Sequence, residues 1–67
     1  MILINGERCD LAAGETVVAA LQRLGLDARV RGVAVAVDGE VVPRTAWESF
    51  ALAGDARVEV LTAMQGG

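Results

Sequence analysis

The stretch from Val33 to Pro43 constrains the fold more than any other part of this chain. Val33-Ala34-Val35-Ala36-Val37 alternates branched and small residues with a period of two, so the three valines share one face of a strand and Ala34 and Ala36 the other. Asp38-Gly39 follows, a pair that tolerates positive φ at both positions and closes a two-residue turn matched to the twist of paired strands. Glu40-Val41-Val42 is then the return strand, and Pro43, which has no N–H to donate, stops it. A hairpin with one branched apolar face must have that face covered, and the rest of the chain has to supply the cover.

The cover is a short helix. Val17, Ala20, Leu21 and Leu24 fall at i, i+3, i+4 and i+7, one apolar stripe on a helix expected from about Thr16 to Leu24, with the Thr16 hydroxyl as N-cap. Gly25 ends it, and Leu26 folds back on the last turn in a Schellman arrangement. Before the helix, Ile2-Leu3-Ile4 and Glu7 to Leu11 read as two strands joined by Asn5-Gly6, with Cys9 and Leu11 on one face. After it, Asp27 to Gly32 is a polar surface connection whose Arg29 and Arg31 are open either to solvent or to an acidic partner. Thr45 and Glu48 have capping-box spacing, which predicts a brief helical turn, and the two aromatics, Trp47 and Phe50, are expected to plug the bottom of the core. Gly54-Asp55 turns the chain into a last strand, Arg57 to Met64, with Val58 and Val60 inward. Leu61 falls outward, and with Leu3, Ala34 and Ala36 it makes a candidate partner-contact patch on the sheet face away from the helix.

Sixty-seven residues allow one domain. A net charge of −3 argues against nucleic acid or an anionic membrane as partner. Cys9 is the one cysteine and there is no His, so neither a disulfide nor a zinc-ligand set is available. Flanked by Arg8 and Asp10, whose charges largely cancel, Cys9 reads as a packing residue. Ile2 to Ile4 is too brief for a signal-peptide core, which with the cysteine usage points to a cytoplasmic protein. With no His, Lys or Tyr the usual general bases and amine nucleophiles are missing.

What the chain does offer is its last three residues, Gln65-Gly66-Gly67. Two glycines have no Cβ, so such an arm enters a channel that any larger residue would block. Gly66 supplies the clearance and Gly67 the α-carboxyl, which is ionised at neutral pH and needs activation by another protein before its carbon reacts. Residues 1–64 are thus expected to form a domain and 65–67 a flexible tail.

Strands, helix, strands, a brief helical turn and a last strand into Gly-Gly follow the order of the α+β, ubiquitin-like β-grasp fold, a mixed sheet of about five strands packed on one main helix. The hairpin running into Val42-Pro43-Arg44, then Trp47, the final Arg57 to Gly67 segment and the opening Asn5-Gly6-Glu7 together resemble the ThiS family of sulfur carriers in thiamine biosynthesis. The resemblance covers essentially the whole chain. Two positions depart from it: Asp38 stands where the family usually has Asn, and Gly54-Asp55 lies one residue further from the last strand than the family pattern. It implies a carrier that is not an enzyme and binds no cofactor itself. A ThiF-like adenylating enzyme would use ATP on the Gly67 carboxylate, a sulfur donor would convert the adenylate to a thiocarboxylate, and a ThiG-like thiazole synthase would receive the sulfur. The alternatives are a carrier of the molybdopterin-synthase small-subunit type, and a ubiquitin-like modifier or binding module.

Overall fold

The computed structural model describes residues 1–62. Five strands form one sheet: β1 (Ile2–Ile4), β2 (Glu7–Cys9), β3 (Val33–Val37), β4 (Glu40–Val42) and β5 (Arg57–Thr62), in the spatial order β2-β1-β5-β3-β4. β1 and β5 run parallel at the centre of the sheet, and every other pairing is antiparallel. One helix, α1 (Val17–Arg23), is the only α-helix among the described residues. This is the β-grasp arrangement.

Both hairpins turn as the sequence requires. Asn5 and Gly6 have φ of 53° and 82°, Asp38 and Gly39 have 50° and 85°, and positive φ at both central positions is the turn geometry that keeps two twisted strands in register. β2 stops at Cys9, which pairs with Ile2 at the start of β1, and does not reach Leu11. Leu11 is buried all the same.

α1 buries Val17, Ala20 and Leu21 against the inner face formed by Ile2, Ile4, Val35, Val37, Val58 and Val60. The valines of β3 turn toward this core, with Val33 half-buried at its margin, and Ala34 is exposed on the other side. Thr16 sits at the N-cap but its hydroxyl makes no capping bond. The Val17 N–H instead donates to the Phe50 carbonyl at 3.2 Å, and Thr16 bridges to Ala51, so a neighbouring strand-like segment does the work of the cap. At the other end the Schellman pattern is present: Gly25 N–H donates to the Gln22 carbonyl at 3.0 Å and Leu26 N–H to that of Leu21 at 2.9 Å. The helix ends one residue before Leu24, which is 42% exposed, and Leu26 packs on the core after the reversal.

The expected capping box does not form. The turn that follows β4 is a 3-10 turn over Arg44–Ala46 with Pro43 before it, which places Thr45 inside the turn where it cannot act as the cap. Trp47 is buried and donates its indole N–H to the Val42 carbonyl at 2.9 Å, but Phe50 stays 37% exposed and does not plug the core. Its backbone closes the turn on the Ala46 carbonyl and accepts from Val17, which leaves the ring at the rim. Leu52 fills the interior, anchored by bonds from Gly14 N–H to its carbonyl and from its own N–H to Glu15. β5 is described as far as Thr62; the expected continuation to Met64, the domain boundary at residue 64 and the 65–67 tail lie outside the described residues.

Candidate functional site

The candidate site is the end of β5 and the surfaces around it. β5 is the central strand, held by backbone pairing to β1 on one side and β3 on the other. Two side chains add to this, both from first positions of hairpin turns. Asp38 Oδ1 accepts from the Arg57 N–H at 3.0 Å, and Asn5 Oδ1 accepts from the Val60 N–H at 2.8 Å. The second bond has a clear cause. β1 ends at Ile4, opposite Val58, so the Val60 N–H has no strand backbone to meet on that side, and the Asn5 amide takes the place of the missing residue. Sequence reading assigned Asn5 to the turn alone; its partner is 55 residues away.

The outer sheet face brings together only part of the expected patch. Ala34 pairs with Leu61, and Ala36 pairs with Glu59 on one side and Val41 on the other. Leu61 and Val41 are 69% and 77% exposed. Val41 therefore belongs with Ala34, Ala36 and Leu61, and the signal for it was present in Glu40-Val41-Val42, where an inward Val42 forces Val41 outward. Leu3 does not join them. It is paired with Arg57 and Arg8, four residues along β5 from Leu61, a separation of about 13 Å at the usual strand rise. It lines a different hollow, with Gly6, Asp38 and Gly39 at its edges.

At the tail-bearing end, Val33 pairs with Thr62, so the Asp27–Gly32 connection arrives beside the last described residue of β5. Arg44 holds this connection. Its guanidinium donates to the carbonyls of Ala28, at 2.7 Å, and Val30, and lies 4.4 Å from the centre of the Trp47 ring. Asp27 adds an Asx turn by accepting from Arg29 N–H at 2.8 Å. Cys9 is half-buried against the core and lies in a small groove with Arg23 and Leu24.

Among the described residues no polar or charged side chain is buried, and no three or more Cys, Asp or Glu side chains converge as a metal site. No helix among them is long and apolar enough to cross a membrane. Gly66 and Gly67 lie outside the described residues.

A central strand running toward a C-terminal Gly-Gly, within this sheet order, is the feature to set against known proteins, and the ThiS family model matches residues 2–67. The chain belongs to the ThiS family. Its fold is similar to the crystal structure of thiamine biosynthesis protein ThiS from Geobacter metallireducens, with 31% identity, a TM-score of 0.74 and coverage of 98% of this chain and 97% of that one. An NMR solution structure of a thiamine biosynthesis protein from the same organism is 29% identical, with a TM-score of 0.76 and coverage of 98% and 86%. No curated protein sequence matches the chain.

Proposed function

We propose that this ThiS-family protein is a sulfur carrier for thiazole formation, with the sulfur held on the carbonyl carbon of Gly67. The observation that carries the reading is the family match extending through residue 67, on a chain whose central strand leads to that residue. The likeness to a thiamine biosynthesis protein, seen both in a crystal and in solution, favours the thiazole pathway over the molybdopterin alternative.

The chemistry follows from the carboxylate. A Gly67 oxygen attacks the α-phosphorus of ATP in a ThiF-like adenylating enzyme, pyrophosphate leaves, and the carbonyl becomes a mixed anhydride. Hydrosulfide released by a sulfur donor adds to the carbonyl carbon, AMP departs with the bonding electrons, the proton passes to solvent, and a thiocarboxylate remains. A ThiG-like thiazole synthase then takes the sulfur in exchange for an oxygen atom at the carbonyl carbon, which restores the carboxylate. This protein is a cosubstrate throughout; ATP is bound by the partner, and the partners share the cytoplasm with the carrier. Gly66 provides clearance in both channels. The domain's part is to carry the tail on a strand tied on both edges, so that the strand itself needs no further ordering when a partner engages the tail.

The test is mass spectrometry after incubation with the adenylating enzyme, ATP and a sulfur donor. One oxygen at the C-terminus should be replaced by sulfur. A protein that remains unmodified while the same enzyme modifies another ThiS-family carrier would overturn the reading.

A further inference from the structure

We infer that the Asp27–Gly32 connection is an electropositive docking element that meets an acidic rim around the tail channel of the adenylating enzyme; this rests on the carrier reading above. The protein is acidic overall, with a net charge of −3, yet the connection beside the end of β5 carries two arginines against one aspartate. Arg29 and Arg31 lie in the connection that arrives beside Thr62, Arg44 grips that connection from the 3-10 turn after β4, and Asp27 is the one acidic residue within it. Both Arg29 and Arg31 are exposed, and the one ion pair among the described residues, Arg23 with Asp10, is elsewhere.

These arginines are also preorganised. Arg44 fixes the carbonyls of Ala28 and Val30, the Asp27 carboxylate fixes the Arg29 N–H, and the Val30 N–H donates to the Asp27 carbonyl at 2.9 Å. The backbone that carries the two cations is therefore ordered before a partner arrives, which lowers the cost of using them. Geometry supplies the occupant. Residue 67 is five residues beyond Thr62, a span of at most about 17 Å, so an enzyme acting on the Gly67 carboxyl must bring its surface to this end of the domain. The matching surface there is acidic, because opposite potentials steer encounter and like potentials oppose it.

The experiment is ATP–pyrophosphate exchange by the adenylating enzyme, with this protein as the varied substrate. Charge reversal in the double variant Arg29→Glu/Arg31→Glu should raise KM about tenfold at low ionic strength with kcat unchanged, and the gap should close as salt screens it. The charge-conserving Arg29→Lys/Arg31→Lys variant should stay within about threefold of the unaltered protein. Circular dichroism confirms that each variant is folded. A reversal variant whose KM stays within twofold of the unaltered protein, or a Lys variant as impaired as the reversal, overturns the inference alone. An unaltered protein that supports no exchange overturns the carrier reading and the inference together.

Discussion

Asn5 makes a sharp test of how the strand that bears the tail is held, because its two roles can be separated by substitution. The residue sits at φ 53° and its Oδ1 accepts from the Val60 N–H at 2.8 Å. Asn5→Gly keeps the positive φ without strain and removes the acceptor, leaving a part-buried N–H short of a partner, at a cost of about 1–1.5 kcal/mol. Asn5→Ala loses the acceptor and adds the left-handed penalty of about 1 kcal/mol, for a total of roughly 2–2.5 kcal/mol. Asn5→Asp keeps an acceptor and a residue tolerant of the turn, and should stay within about 0.5 kcal/mol of the unaltered protein. In a domain this small 1 kcal/mol shifts Tm by up to about 8 °C, so the Ala and Gly variants should differ by several degrees in a two-state melt. Hydrogen exchange at the Val60 amide should accelerate in both of them and not in the Asp variant. A Gly variant as stable as the unaltered protein would show that the Oδ1 bond contributes nothing, and equal losses for Ala and Gly would remove the strain argument.

Leu21 is fully buried under the sheet, so Leu21→Ala should cost about 2–5 kcal/mol in a denaturant titration, a large part of the roughly 3–10 kcal/mol a domain of this length has. Unchanged stability would contradict its place in the core. Cys9→Ser should acquire sulfur at Gly67 normally, because the thiol is a half-buried packing group; a folded variant that fails to do so would give Cys9 a part in transfer. Deleting Gly67 should change stability by no more than a few tenths of a kcal/mol, since among the described residues the buried core runs from Ile2 to Val60 and glycine has no side chain to add to it, while shortening the reach by up to about 3.5 Å and abolishing sulfur acquisition. Gly66→Val should fail in the same assay with the domain intact, through its branched side chain; sulfur on the truncated protein would overturn the role of Gly67, and sulfur on Gly66→Val would overturn the clearance argument.

The parts of the fold legible in the sequence are those decided within a few residues. Asn5-Gly6 and Asp38-Gly39 fix their own turns because the φ values they need are local properties, and each turn then sets the register of the strands it joins. The Val17, Ala20, Leu21 stripe and the Gly25 reversal are local in the same sense. The proposal for Gly66-Gly67 also rests on the sequence, on the clearance two glycines give and on the family resemblance, and these residues lie outside those the structure describes.

Tertiary structure decided the rest, and in each case the reason is a partner distant along the chain. Period-two alternation says which face Leu3 occupies but not that Arg57 lies opposite, so the separation of Leu3 from Ala34, Ala36, Val41 and Leu61 became visible only once β1 and β5 paired in parallel. Whether Phe50 or Leu52 fills the core turns on the backbone bonds that bind this segment to Glu15 and Val17. The caps expected from Thr16 and Thr45 were displaced by a carbonyl from Phe50 and by a turn beginning at Pro43. Asn5 bonding to Val60, and Arg44 gripping Ala28 and Val30, required the completed sheet, because a polar side chain finds its acceptor or donor only after the hydrophobic core has set which strands are neighbours.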